Sequence, residues 1–278
     1  MGLQGPSGAG KTMSALLISY GLCGNWNKIA VIDTENRSAD LYAHLGSYNV
    51  LPMIAPFTPE RFVDAIQLCE RSDIEVIIID SISHEWEGNG GILDIHGSMT
   101  GNSYTNWSKV TPRHNEFLQA MLQSPCHIIS TIRAKQDYIL VDKNGKQVPE
   151  KVGLKGITRE GIDYEFTLVL EMNIRNQATV SKDRTGLFNG KAEFLPSVET
   201  GKTILQWCNI GLDIPRRDPI RDILQCIAAC RKSDELLTLY YAHPKHQEAL
   251  LSEFTKRRQE LLKTNTNNQN QIQNAAHS

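Results

Sequence analysis

Eight residues near the start of the chain, Gly5-Pro6-Ser7-Gly8-Ala9-Gly10-Lys11-Thr12, fill every fixed position of the phosphate-cradling pattern GxxxxGK[ST]. Glycines at these spacings let backbone N–H groups turn inward toward an anion, and the helix that follows offers its positive N-terminal end to the same charge. Lys11 then reaches the β- and γ-phosphates of a nucleoside triphosphate such as ATP, and the Thr12 hydroxyl sits on Mg²⁺. Two acids further on suit the same chemistry. Glu35 follows the apolar run Lys28-Ile29-Ala30-Val31-Ile32-Asp33, and Asp80 closes Glu75-Val76-Ile77-Ile78-Ile79. An acid at the end of a buried strand downstream of a P-loop is where Mg²⁺ and its water shell are held.

Those residues need elements to position them. Met13 to Cys23 is apolar and small, free of proline, and closed by Gly24, which predicts the helix after the loop. Only Met1-Gly2-Leu3-Gln4 precedes Gly5, so the strand feeding the loop is either short or continues a longer natural chain. Val76 to Ile79 is four β-branched residues in succession. Such a run cannot alternate faces, so both its faces must be covered, as in a parallel sheet flanked by helices. Pro59 to Arg71 predicts a helix, with Phe62, Ala65, Ile66 and Cys69 at helical spacing, and Cys126 to Ile132 a further buried strand. In an open α/β sheet ligands bind at the C-terminal ends of the strands, which places Glu35 on the same rim as the P-loop.

Between these elements lie two stretches without a clear period. From His84 to His114, glycines and asparagines alternate with Trp86, Tyr104 and Trp107, which reads as a long loop before a helix from Asn115 to Ser124. Its aromatics could stack on bases or pack the loop onto the core. From Lys135 to Glu160, Asp142-Lys143-Asn144-Gly145-Lys146 reads as a turn between two short strands, with Lys143, Lys146, Lys151, Lys155 and Arg159 adding local positive charge. Tyr164 to Glu171 and the run around Ala178-Thr179-Val180 read as strands. Lys182 and Arg184, one residue apart, then point the same way and could both reach a phosphate, or guard an exposed edge.

The net charge of −2 and pI near 6.5 provide no bulk basic field, so contact with nucleic acid would have to be local. The longest apolar runs fall far below the roughly 18 residues of a membrane span, and a P-loop at the very start leaves no room for a signal peptide. The six cysteines form no CxxC pair and fall mainly in apolar segments, as expected of reduced thiols in a cytoplasm-like compartment. Cys226 and Cys230 are four apart on an expected helix, without the further His or Cys that a metal site would need.

With these landmarks placed, residues 2 to 200 resemble the RecA-like ATPases, and more narrowly the phage-encoded RecA-like proteins of single-strand annealing and recombination, a group of AAA family ATPases. The resemblance implies that Glu35 positions and activates the attacking water, that Tyr42 stacks on adenine, and that Val76 to Ser81 is the Walker B segment. It further implies that Lys182 and Arg184 enter the ATP site of a neighbouring subunit in a filament or ring. Ser130-Thr131-Ile132-Arg133-Ala134-Lys135 is similar to the strand leading into a DNA-facing loop. By this resemblance Trp86, Trp107, Arg133, Lys135, Lys143, Lys146, Lys151 and Lys155 become candidates for contact with single-stranded DNA. Thr131 stands where the family has a γ-phosphate-sensing glutamine. Its short side chain donates one hydrogen bond but cannot span the same gap.

The expected architecture is α/β: a RecA-like core over residues 1–210 with a mostly parallel central sheet flanked by helices, a helical region over 211–263, and a disordered Asn/Gln-rich tail over 264–278. The expected activity is Mg²⁺-dependent ATP hydrolysis acting on single-stranded DNA. The alternatives are an ATP-dependent switch that recruits a protein partner through the C-terminal helices, and, less favoured because no lid or substrate pocket is legible, a small-molecule kinase.

Overall fold

In the computed structural model, which describes residues 1–143, 146–211 and 219–275, the chain divides into two compact units, Met1–Ile210 and Gly211–Ser278. The first is built on one sheet. Strands β1 (Gly2–Gly5), β2 (Ile29–Asp33), β3 (Asn49–Pro52), β4 (Val76–Asp80), β5 (His127–Lys143) and β7 (Leu168–Met172) run parallel in the order β3-β2-β4-β5-β1-β7. Strand β8 (Ala178–Asp183) closes one edge antiparallel to β7, and β6 (Lys146–Gly156) pairs antiparallel with β5 beyond the sheet.

The β-branched runs behave as their composition requires. Ile29, Val31, Val76 and Ile78 enter the cluster on one face, where α1 (Lys11–Cys23) and α7 (Val198–Asn209) pack. Ala30, Ile32, Ile77 and Ile79 enter the other, with Phe62 of α2 (Pro59–Arg71) and Phe117 of α5 (Ser103–Gln123). Every residue of β2 and β4 is buried. Each fully buried aliphatic side chain contributes about 1.5–3 kcal/mol of transfer free energy, which holds the strand ends, and the acids on them, in fixed register.

Helix α1 ends where Gly24 adopts φ 67° and its N–H reaches Tyr20 O, the left-handed cap expected of glycine there. Across α1 lies α7, at a crossing so close that a Cβ on Gly201 would stand 2.1 Å from Ile18 O and one on Gly21 2.1 Å from Val198 O. No sequence period announced α7.

Several expectations are corrected. The stretch from His84 to His114 is not a long loop. It forms α3 (Ser83–Glu87), α4 (Ile92–Ser98) and the first half of α5, which starts at Ser103 rather than Asn115. Aromatic packing supplies what periodicity did not show: Trp86 stacks on Trp107 at 5.9 Å and Trp107 on His96 at 4.1 Å. From Lys135 to Gly156 the chain is a hairpin of two long strands, with Lys143 opposite Lys146 and Lys135 opposite Lys155. The turn at 144–145 lies outside the described residues. Tyr164 and Glu165 belong to a short helix, α6 (Ile162–Glu165), and the strand begins only at Leu168.

The second unit contains α8 (Pro219–Ala229), α9 (Ser233–Ala242) and α10 (Gln247–Ala275) around Ile223, Ile227, Leu236, Leu250, Phe254 and Leu261. Residues 215–218 of the expected first helix lie outside the described residues. The tail expected to be disordered from Thr264 instead continues α10 to Ala275. Extending an existing helix needs no new nucleus, and the stretch contains neither Gly nor Pro to stop it. All six cysteines are free, Cys230 buried and Cys226 exposed.

Candidate nucleotide site

The P-loop joins β1 to α1 at the C-terminal rim of the sheet. Gly8 and Gly10 take φ 79° and 76°, a region that L side chains rarely adopt. A Cβ on Gly10 would also stand 2.9 Å from Asn176 Oδ1, in the turn between β7 and β8. With its amide oriented to donate, Asn176 bonds Gly8 O and Ala9 O at 3.2 Å each, bracing the loop from outside. Lys11 Nζ donates to Gly5 O at 2.9 Å and Pro6 O at 2.8 Å. Burial lowers the pKa of its ammonium, against the attraction of Asp80 and Glu35.

Because β4 lies between β2 and β5, the ends of β2 and β4 meet Thr131 of β5 beside Thr12. Asp80 ends β4, only 2 % exposed. Its carboxylate accepts from Thr12 Oγ1 at 2.6 Å and from the hydroxyl of Thr131 on β5. Burial nonetheless raises its pKa above the ordinary carboxyl value, although both hydroxyls favour the charged form. Thr131 thus holds Asp80, the span its short side chain can bridge.

Glu35 stands two residues past the end of β2. Asp33 fixes that turn, accepting from Glu35 N at 2.7 Å and Ala39 N at 2.8 Å. Glu35 Oε1 accepts from Ser81 Oγ at 3.0 Å and from Arg133 Nε at 2.7 Å, while the second guanidinium nitrogen of Arg133 reaches Oε2. Burial acts to raise the Glu35 carboxyl, but the Arg133 hydrogen bonds and charge outweigh it and hold the pKa below the usual range. Arg133, expected to face DNA, is therefore committed in this structure to an acid 98 residues earlier.

Sequence reasoning missed the supporting groups. Thr34 Oγ1 donates to Asp80 O at 3.0 Å and accepts from Ser81 N at 2.8 Å. His84 Nδ1 lies 2.7 Å from the same oxygen and stacks its ring on Phe57 at 4.7 Å. The hydroxyl is satisfied when His84 carries its proton on Nδ1. Only the sheet order brings these residues together, so no local signal could have flagged them.

The remaining candidates lie elsewhere. Tyr42 is half-buried against the core in a 3₁₀ segment, Ser38–Leu45, after the Glu35 turn. Lys182 Nζ donates to Asp163 O and Tyr164 O, and Arg184 to Tyr164 O. By register Lys182 pairs with Val169, and Val169 with Gly2, so both cations stand at the strand end opposite their own P-loop. Trp86 and Trp107 spend one indole face on each other rather than presenting free platforms from a loop. Lys135 and Lys155 are exposed on the hairpin, while the side chains of Lys143, Lys146 and Lys151 lie outside the described residues. Among the described residues no cluster of three or more His, Cys, Asp or Glu could hold a metal.

The Thr12 hydroxyl and the Asp80 carboxylate, touching each other at the foot of the P-loop, are a hard oxygen pair of the kind Mg²⁺ takes when substrate phosphates and water complete its shell. A buried carboxylate with a raised pKa is also a group that a cation relieves.

Parallel strands, a braced P-loop and two acids on neighbouring strand ends define a P-loop nucleotide-binding domain of the α/β class. A family model described as AAA domain matches residues 1–195, most of the chain, and the chain belongs to that family, which suggests a nucleotide-binding ATPase. No curated protein shows significant similarity to the chain. No helix among the described residues is long and apolar enough to cross a membrane.

Proposed function

We propose that this protein is a Mg²⁺-dependent, RecA-like ATPase that acts on single-stranded DNA, in the manner of phage recombination and annealing proteins. The observation that carries the reading is the convergence of Lys11, Thr12, Asp80 and Glu35 on one rim. P-loop amides and Lys11 hold the phosphates. Thr12 and Asp80 hold the metal, which when bound neutralises charge on the β- and γ-phosphates. Glu35 orients a water whose oxygen bonds to the γ-phosphorus as the bond to the ADP oxygen breaks, and takes the proton that water loses. Positioning and electrostatic stabilisation supply most of the acceleration.

Lys182 and Arg184, remote from their own P-loop, are read as completing the site of a second copy, so hydrolysis requires assembly. Finger cations of this kind are worth about 10³–10⁵ in rate. Single-stranded DNA is assigned to the β5–β6 hairpin, whose strand carries Thr131 and Arg133 at its root and whose sequence from 135 to 155 contains five lysines and three acids. Binding should weaken steeply with salt as phosphate counterions are released.

The test measures ATP turnover per subunit against protein concentration, with and without an oligonucleotide. The reading expects turnover per subunit to rise with concentration and with DNA, and Glu35→Gln to bind ATP while losing about 10²–10⁴ in rate. Turnover indifferent to DNA, together with no oligonucleotide binding, would favour the partner-recruiting switch. A flat concentration dependence would remove the trans cations.

A further inference from the structure

The contact between Arg133 and Glu35 closes the residue that the proposed reaction needs as a base. Both carboxylate oxygens are engaged, Oε1 by Arg133 Nε and Ser81 Oγ and Oε2 by the second guanidinium nitrogen. Three of the roughly four lone-pair sites of the carboxylate are taken, and the guanidinium charge makes the one left on Oε2 a poorer proton acceptor. We propose that Arg133 is a positioning residue that keeps Glu35 closed until a triphosphate binds, the γ-phosphate then drawing the guanidinium away and releasing the carboxylate. This rests on the ATPase reading given above and adds a γ-phosphate sensor within the same chain.

Four features of the structure support the exchange. The pair is not sealed in: the side chains are 40 % and 23 % exposed, so the guanidinium has room to swing. The backbone of Arg133 is fixed, its N–H donating to Ser83 Oγ at 3.0 Å and its position on β5 lying directly beside Gly5, the first residue of the P-loop. A swing of the side chain therefore stays next to the phosphate cradle. Lys11 senses the charges of both Glu35 and Arg133, which places the pair within electrostatic reach of that cradle. Ser81 remains on Oε1 after Arg133 leaves, so the freed carboxylate keeps its place.

A γ-phosphate offers the planar guanidinium at least as good a two-pronged partner as a carboxylate and, as the dianion, more charge. ADP lacks that group and leaves the pair closed. The device thus makes the site respond to ATP differently from ADP, although the glutamine of the resembling family is replaced by Thr131.

The test compares affinity for a slowly hydrolysed ATP analogue and for ADP, both with Mg²⁺, by titration calorimetry. It uses the full-length wild type, Glu35→Gln, Arg133→Gln, and the charge-balanced double variant. The expected result is that Arg133→Gln and the double variant both lose the preference for the analogue over ADP by about tenfold, the scale of one charge-assisted contact. Glu35→Gln alone binds the analogue at least as tightly as the wild type, since less holds Arg133 back. Recovery of the wild-type preference in the double variant would mean that Arg133 only neutralises Glu35, and would overturn the sensor while leaving the ATPase reading intact. A wild type that binds neither nucleotide would overturn both.

Discussion

Replacing Asp80 by Asn should stabilise the empty protein and disable it with Mg²⁺ and nucleotide. Asp80 is an ionisable group 2 % exposed, with two neutral hydroxyls as its hydrogen-bond donors and, among its nearer charges, the repelling Glu35 and Asp33. Its folded-state pKa is raised, first by burial. A carboxyl of that kind binds its proton more tightly folded than unfolded, so ionisation costs stability as pH rises above its unfolded value, and the full penalty applies above the folded one. Asparagine removes the charge and keeps the shape. Either Thr12 or Thr131 can reverse its hydroxyl to accept from the new amide.

Relief of a functional site commonly gains about 0.5–2 kcal/mol. For a domain the size of the first unit, each kcal/mol moves the melting midpoint by about 2–4 °C, so a rise of about 1–8 °C is expected. Thermal melts at pH 7 without ligand measure it, and the difference should shrink as pH is lowered and Asp80 in the wild type takes up its proton. Mg²⁺ and nucleotide at about a hundred times the dissociation constant should add about 2.7 kcal/mol to the wild type and much less to Asp80→Asn. A variant less stable than the wild type without ligand, or one equally stabilised by Mg²⁺ and nucleotide, would refute the argument.

Two further outcomes follow from packing and charge. Gly201→Ala puts a methyl 2.1 Å from the backbone oxygen of Ile18; neither helix can yield locally, so α1 and α7 must part, at a cost of about 1–3 kcal/mol or more, read as a lower denaturant midpoint. Glu60, held by Arg113 across α2 and α5 at a pKa of about 2, contributes stability that is present above the ordinary carboxyl value and lost as pH falls toward 2. Glu60→Gln should therefore lower the urea midpoint at pH 7 and converge with the wild type near pH 2; an equal deficit at both pH values would show that the pair's charge is not responsible.

The chemistry of the P-loop was legible in the chain because it is local. Eight consecutive residues carry the glycines, the lysine and the threonine, and the helix behind them is the next segment. Strands β2 and β4 were equally plain, since a run of β-branched residues has no stable place except between two covered faces. The acids at or just past their ends followed from strand direction. The helices between His84 and His114 were not legible, because Gly and Asn mask their period and they are held by ring stacking among Trp86, His96 and Trp107 rather than by an apolar stripe.

What tertiary structure alone decided is which side chain meets which acid. Nothing local links Arg133 to Glu35, Thr131 to Asp80, or Gly21 to Gly201. Each pair exists because β4 sits between β2 and β5, and because α7 returns across α1. The order of strands in a sheet is settled by how the whole set buries its two faces, a global free-energy balance that no window of residues contains. The same arginine that sequence assigned to a DNA-facing strand therefore lies, in the folded chain, on the acid assigned to the water.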